Sequence, residues 1–436
     1  MRQPFRLFFL TLSLLAVFWG RIYAQSEQPL VLVLQADGPI TPPMLEYLQR
    51  GLRLAEQQQA EAIIIQLNTP GGDLGTTTDI IQAFRNSRIP VIMYVAPNGS
   101  MAGSAGAILT MAAHAAAMAP ETAIGAASPI SSTGEDLTKT LETKAKEIMK
   151  ATIRPLVQPR GPKAVKLAEA MIDEARAVSA EEAKDAGLID FIASDVPDLL
   201  QKLDGFTVNT AAGSHTLHTA NAQTQPIGFS LIEQLLLMLT DPNISFLLLA
   251  IGVQAILIEI SSPGGWVAGF IGVVCLALAT YGMGVLPVNW FGLVFLILAF
   301  VLFVLDIKAP THGALTAAGV ASFIVGALVL FNSPGTPQFQ RVSPALVIGV
   351  GIFLGLIFGM ILIFALRAQH MPIRMGMETL IGKTGYAQSD FGLTGQVRVE
   401  SELWTAEPAE GSAAIRKGDR IEVVQIEGVR LKVRKV

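Results

Sequence analysis

Between Ile244 and Leu366 the chain carries only four charged side chains, Glu259, Asp306, Lys308 and Arg341, in 123 consecutive residues. A bilayer core of about 30 Å is crossed by about 20 apolar residues in a helix, and helices leave no backbone polar group unpaired in lipid. The stretch breaks at turn-formers: Ser261-Ser262-Pro263-Gly264, Pro287-Val288-Asn289, Lys308-Ala309-Pro310 and Ser333-Pro334-Gly335. It therefore predicts a polytopic α-helical membrane domain over 244–367 of about five spans, near 244–260, 265–286, 290–306, 313–332 and 343–366. Buried helices of a soluble protein do not recur in this way almost without charge. The remaining 313 residues hold nearly all of the 31 Lys+Arg and 35 Asp+Glu, so they are read as aqueous domains.

The N-terminus carries a different signal. Met1 to Arg6 is basic, Leu7 to Trp19 is apolar, and Ile22-Tyr23-Ala24 suits a cleavage site, so residues 1–24 read as a signal peptide or an uncleaved anchor. Residues 25 to about 240 then lie outside the cytoplasm. Five spans bring the C-terminus back inside, and Arg367, Arg374 and Lys383 after the last span agree with that orientation. The expected location is the cell (inner) membrane, multi-pass, with the exported domain on the periplasmic side and the C-terminal domain cytoplasmic. A net charge of −4 offers no basic field, so no nucleic acid partner is expected. A lone cysteine, Cys275, excludes an internal disulfide and a cysteine-cluster metal site.

The exported part, 25–205, alternates strand and helix patterns. Leu30 to Leu34, Ala62 to Leu67 and Pro90 to Val95 are apolar runs of strand length, separated by helical spacing over Pro42 to Gln59 and Leu74 to Arg85. This alternation implies a parallel sheet, whose ligand sites lie beyond the carboxyl ends of the strands. Two loops follow buried strands there: Asn68-Thr69-Pro70-Gly71-Gly72, and Ala96 to Gly106.

The first loop has two glycines that can bare backbone N–H groups to a substrate, which suits an oxyanion hole and equally a tight turn. In the second, Ser104 stands between Gly103 and Ala105-Gly106 at the start of a predicted helix. Small neighbours leave its Oγ open to attack, and the Ala105 N–H with the helix N-terminus favours developing negative charge. Ser104 as a helix N-cap is the competing reading. A serine nucleophile needs a base. His114 lies about 15 Å along the helix from Ser104, His215 and His218 lie beyond the alternating core, and His312 and His370 flank membrane spans. Attention therefore passes to lysine. Over Leu137 to Gln158 an apolar stripe runs through Leu141, Ala145, Ile148 and Thr152, with Lys144 beside it and Lys139, Lys146 and Lys150 opposite. The pattern predicts a half-buried Lys144, and burial lowers a lysine's pKa so that a neutral amine can take a proton. The alternative is a lysine whose stem covers apolar surface while its head stays wet. Lys139 is the fallback base.

Taken together these segments resemble the ClpP-class serine proteases and, more closely, the membrane-bound NfeD family. The matching residues are Ile65 to Gly72, Ile89 to Pro97, Gly103 to Gly106, Met118 to Ala126, Lys144 in its helix, and Ser179 to Ile189. The resemblance spans the chain. It implies an α/β ClpP/crotonase-like domain, then the membrane domain, then a small all-β OB-like barrel. By position it implies Ser104 as nucleophile, Lys144 as general base and Gly72 with Ala105 as oxyanion donors. Gly71 and Gly103 are expected to line the substrate site. No metal or cofactor is implied. The implied substrate is a polypeptide with apolar segments, such as that of a stomatin-like membrane protein, and the implied assembly is a homo-oligomer. Prolines in Arg154-Pro155-Leu156-Val157-Gln158-Pro159 stand where the family continues its helix, which bears on the position of Lys144.

Residues 206–243 read as a polar linker with a last strand near Phe206. From Leu380 charge returns with period two, over Gly395 to Glu400, Arg420 to Ile426 and Val429 to Val436, which suits a five-stranded barrel over 377–436. Its even sign mixture, with Tyr386, Phe391 and Trp404 as the only stackable rings, favours protein contact over nucleic acid. Two other functions remain at this point: a non-catalytic membrane scaffold that docks a stomatin-like partner, and a crotonase-type acyl-CoA enzyme, against which export argues.

Overall fold

The computed structural model describes residues 28–128, 138–261, 264–309, 311, 313–332, 336, 340–369 and 377–436. The segment expected to direct export, 1–24, lies outside the described residues, as do His312, Ser333-Pro334-Gly335, His370 and Arg374. The chain falls into two compact units: one holds the α/β domain and the apolar helices up to Gly355, the other Asp306–Gly313 and Leu356–Val436.

The α/β domain runs β1 (Leu30–Asp37), α1 (Pro42–Gln57), β2 (Ala62–Asn68), α2 (Leu74–Asn86), β3 (Val91–Val95), β4 (Met101–Gly103), α3 (Ala105–Ala112), β5 (Ala115–Met118) and β6 (Ala123–Gly125). It continues with α4 (Lys139–Val157), α5 (Pro162–Asp173), β7 (Ala177–Ser179), α6 (Ala180–Asp185), β8 (Phe191–Ile192), α7 (Val196–Leu203), β9 (Thr207–Thr210), β10 (Gly213–Thr216) and β11 (Gln223–Ile227). Six strands form one parallel sheet in the order β11-β1-β2-β3-β5-β8. Both faces are covered, which is why the strands read as continuous apolar runs. Side chains alternate between them: Ile63, Ile65, Leu67, Met93 and Met118 pack under α1 to α5, whereas Ile64, Ile92, Tyr94 and Ala117 pack under α7 and the β9-β10 hairpin.

The expected linker is corrected here. Strand β11 adds to the open edge of β1, with Leu30 opposite Gln223 and Leu34 opposite Ile227, so the α/β domain extends to Ile227. Most β11 side chains are exposed, and its register is held by backbone bonds rather than by apolar residues, which is why hydropathy does not reveal it. The strand expected near Phe206 is present as β9.

After α8 (Leu231–Leu239) come five apolar helices: α9 (Pro242–Ser261), α10 (Val267–Val285), α11 (Phe291–Lys308), α12 (Ala314–Phe331) and α13 (Pro344–Gln369). Among the described residues four are long and apolar enough to cross a membrane, and the apolar part of α11, Phe291–Asp306, is shorter. Glycines let these helices touch through backbone. A methyl on Gly292 would fall 2.5 Å from the Gly326 carbonyl, and one on Gly272 would fall 3.0 Å from that of Gly252. The Glu259 carboxylate accepts from the Trp266 and Gly269 N–H groups, capping the start of α10 rather than facing lipid.

In the second unit β12 (Thr384–Ala387), β13 (Gly395–Val399), β14 (Glu402–Pro408), β15 (Arg420–Glu427) and β16 (Arg430–Lys435) close a barrel in the order β12-β13-β14-β16-β15. All its pairings are antiparallel except β14 with β16, the arrangement of a five-stranded Greek-key barrel of OB type. Val397, Val399, Ile421, Val423, Leu431 and Val433 fill it, with Phe391 and Trp404 packed against them and Tyr386 left exposed.

At the opposite end of the sheet from the strand carboxyl termini, His114 Nδ1 accepts from the Val91 N–H at 3.0 Å, and its buried Nε2 has no partner among the described residues. Burial, helped by the Arg85 charge, pushes this imidazole down to about 4. The unfolded chain, with an ordinary histidine near 6.5, therefore binds the proton first as pH falls. The contribution is full above that value and declines towards pH 4, by about 3 kcal/mol at the low end. Denaturant unfolding of wild-type and His114→Gln protein should show a shallower decline for the variant in this window; identical slopes would refute it.

Candidate active site

Sheet topology decides which loops meet. Strand β2 ends at Asn68 and runs into Thr69-Pro70-Gly71-Gly72; β3 ends at Val95 and, through the loop after it, reaches β4 and then α3. The two segments are tied backbone to backbone: the Thr69 N–H donates to the Met101 carbonyl at 2.8 Å, and the Gly103 N–H donates to the Thr69 carbonyl at 2.8 Å. Small residues are needed for this approach. A methyl on Gly103 would fall 2.8 Å from the Pro70 oxygen, and one on Gly106 would fall 2.4 Å from Thr69 Cγ2. The glycines around Ser104 thus serve close packing of two loops, beyond leaving Oγ accessible.

Ser104 stands at the N-cap position of α3 with φ 49° and ψ −111°, and its hydroxyl makes no capping bond. This backbone conformation costs an L-residue of order 1–3 kcal/mol and persists only where the surroundings impose it. Here the Ser104 N–H donates to the Gly125 carbonyl at 2.9 Å, β4 pairs with β6 beside it, and α3 begins at once with every residue buried. The capping reading of Ser104 holds for its position and fails for its side chain.

The glycine loop lies directly on this serine: a methyl on Gly71 would fall 2.7 Å from Ser104 Cβ and 3.3 Å from Oγ. Gly71, at φ +123°, closes a local turn by donating its N–H to Thr69 Oγ1 at 3.1 Å. Gly72 bridges Ile40 in parallel fashion, which uses the Gly71 carbonyl and the Asp73 N–H and leaves the Gly72 N–H without a partner among the described residues. The Ala105 and Gly106 N–H groups at the start of α3 are likewise uncommitted. The structure therefore brings Gly71 against Ser104, between Gly103 and Ala105 in the chain, and leaves the N–H groups of Gly72 and Ala105 uncommitted among the described residues. Two residues that pattern reasoning passed over stand in the same two segments, Leu74 after Gly72 and Met101 in β4, both large, apolar and about half exposed.

Lys144 departs from expectation. Helix α4 packs against α3, but the face it buries carries Met149, Ile153 and Val157. Leu141 and Ile148 are 53% and 66% exposed, and Lys144 is exposed between them. The lysines on the packed side are Lys146, which donates to the Asp173 carbonyl, and Lys150, paired with Glu147 and Asp173. Both apolar stripes have helical spacing, and tertiary packing chose the one farther along the helix, where α5 lies. Lys139, the fallback base, is also exposed. Helix α4 continues through Pro155 to Val157 and there gives way to a 3-10 turn over Gln158–Arg160 that holds Pro159.

Family models match three segments: the NfeD1b N-terminal domain over 30–208, the NfeD integral membrane domain over 243–364, and the NfeD-like C-terminal, partner-binding domain over 377–435. A membrane-bound protease of Pyrococcus horikoshii is 34% identical over 412 residues, 92% of each chain. Membrane protein NfeD1b of Bacillus subtilis is 26% identical over 460 residues, covering all of this chain and 99% of that one. A solved membrane protease from Pyrococcus horikoshii, described as specific for a stomatin homolog, is 32% identical with a TM-score of 0.43, over 49% of this chain and all of that one.

The glycine contacts carry their own test. Gly71→Ala should destabilise the protein by about 2–4 kcal/mol, through positive φ and collision with Ser104. Gly99→Ala, also at positive φ but with open space around it, should cost only about 1 kcal/mol. Equal shifts in unfolding midpoint would show that the loops are not in contact.

Proposed function

The chain belongs to the NfeD family of membrane proteins, and from that premise we propose that it is a membrane-bound serine endopeptidase acting through Ser104. The observation that carries this reading is the strained Ser104, its hydroxyl without a capping bond and packed against Gly71, with the N–H groups of the adjoining Gly72 and Ala105 uncommitted among the described residues. In the proposed mechanism Oγ attacks a peptide carbonyl, and the oxygen that becomes negative is held by those two donors and the N-terminus of α3. Collapse of the tetrahedral species breaks the C–N bond, the amine leaving with the proton that the base took from Ser104. Water then hydrolyses the acyl-enzyme ester to free the carboxyl product and the serine. Kinship with a relative described as a membrane-bound protease supports the reaction class.

Lys144 is the proposed general base. Desolvation is what favours a neutral amine, and this chain's own packing leaves Lys144 exposed. The exposed Leu141 and Ile148 beside it suggest the source of cover: an apolar substrate segment, or a second copy in a homo-oligomer, laid across this face would take the amine out of water. Leu74 and Met101, exposed in the segments that carry Gly72 and Ser104, suit the same apolar substrate. The proposed substrate is thus an apolar stretch of a polypeptide such as a stomatin-like membrane protein. The barrel, which matches a partner-binding domain, is the proposed dock for that partner. The basic and apolar N-terminal residues support an extracytoplasmic α/β domain; if all five apolar helices cross, the barrel is cytoplasmic.

The exposure of Lys144 also favours a second reading, a non-catalytic scaffold that docks the same partner. The full chain in detergent separates the two, assayed on apolar peptides alongside Ser104→Ala, Lys144→Ala and Lys139→Ala. Ser104→Ala should abolish cleavage, a loss of about 10⁴-fold or more, and Lys144→Ala should approach it while Lys139→Ala stays near wild type. Cleavage that survives Ser104→Ala refutes the nucleophile. Activity kept in Lys144→Ala and lost in Lys139→Ala would move the base to Lys139.

A further inference from the structure

Helix α8 sits where hydropathy suggested a linker. Ser230 and Glu233 form a reciprocal capping box at its start. With i, i+4, i+7 spacing Leu231, Leu235 and Met238 share one face, and Glu233 lies on the opposite one. The two faces meet different surroundings. Glu233 is buried and receives the Arg50 guanidinium of α1 in a fork, Nε to Oε1 and Nη2 to Oε2, each at 2.7 Å. Arg50 also donates to the Gly228 carbonyl. Next to this pair Tyr47 stacks on Phe229 at 3.9 Å and donates its hydroxyl to the Ile227 carbonyl. Burial alone would raise the Glu233 pKa, and hydrogen bonds from Arg50 and Ser230 outweigh it and hold the carboxyl below its usual range. The helix is thereby fastened to the α/β domain. Its other face is bare: Leu231 is 73% exposed, Ile232 70%, Leu235 53% and Met238 54%.

What covers that face follows from where the helix ends. Only Thr240 and Asp241 separate Leu239 from α9. Ser245 in the first turn of α9 donates its hydroxyl to the Leu239 carbonyl at 2.8 Å. A methyl on Gly282, in the last turn of α10, would fall 2.5 Å from that same carbonyl. The C-terminus of α8 thus sits at the mouth of the α9–α10 hairpin, where two apolar helices begin and end, and that level is the bilayer surface. A helix too short to span, apolar on its free face and polar at its anchored one, is stable in that plane. Four side chains cannot supply the roughly 800 Å² per partner of a specific protein interface, so a second copy is the weaker occupant.

We propose that α8 is an interfacial helix lying in the plane of the membrane, its Leu231-Ile232-Leu235-Met238 face seated in lipid, and that the Arg50–Glu233 fork transmits this anchorage to the α/β domain and sets its height above the bilayer. This stands whatever chemistry Ser104 performs.

The test uses the full chain in phosphatidylcholine/phosphatidylglycerol vesicles. With Cys275→Ser removing the one native cysteine, single cysteines replace Leu231, Leu235 or Met238, and exposed Lys163 as the aqueous control, each carrying a polarity-sensitive fluorophore. The three α8 labels should be quenched by nitroxide lipids, more by a shallow than a deep acyl nitroxide, and resist iodide, whereas the Lys163 label should show the reverse. Iodide quenching of the α8 labels would place the face in water and overturn the proposal. Protection from both quenchers would assign the face to a second copy or another protein and overturn it equally. For the fork, energy transfer from the Lys163 label to a headgroup acceptor should show a broadened distance distribution in Arg50→Gln, with the α8 labels still in lipid. An unchanged distribution would refute the transmission of height.

Discussion

The candidate site depends on a backbone conformation that Ser104 would not adopt by itself. Positive φ at a serine is unfavourable by an amount comparable to about one to three hydrogen bonds. It is imposed by a lattice of such bonds: Thr69 to Met101, Gly103 to Thr69, and Ser104 to Gly125. That lattice in turn needs glycine at 71, 103 and 106, since a Cβ at any of them would strike its neighbour. The outcome is a serine hydroxyl that makes no capping bond to its own helix, packed against Gly71, with the first N–H groups of α3 and that of Gly72 uncommitted among the described residues. A capped serine would have spent its oxygen on those donors.

The same device, glycine permitting close approach, recurs under a different solvent. In the apolar helices Gly252 and Gly272, and Gly292 and Gly326, let backbones meet where lipid offers no hydrophobic drive for association. Between the two regimes lies α8, one face bound to the α/β domain by the buried Arg50–Glu233 fork and the other free. The fork survives burial because it is bidentate and the carboxylate takes a further bond from the Ser230 N–H, which leaves no lone charge unpaired.

Much was legible beforehand where a local pattern has a single reading. The five apolar helices, the alternation that builds the sheet and the period-two runs of the barrel all follow from hydropathy. The loop pair was legible because glycine runs after buried strands have few physical uses. Strand β11 was not: Gln223 to Ile227 has no apolar alternation, and its place comes from the free edge of β1. Helix α8 left a signal that was overlooked, the Ser230-x-x-Glu233 capping box ahead of an apolar run.

Helix α4 shows the boundary most sharply. Its residues carry two apolar stripes at helical spacing, Leu141-Ala145-Ile148 and Met149-Ile153-Val157. Spacing alone says that either can face a core, because a helix is symmetric under that choice until something packs against it. Helix α5 decided for the second, its Asp173 holding Lys146 through the backbone carbonyl and Lys150 through the carboxylate and leaving Lys144 outside. Residue order determined which groups exist, which segments prefer lipid and which turns are tight. Whether a given amine is dry, and whether a serine is strained open, depends on neighbours distant in the chain, and only the assembled tertiary structure supplies them.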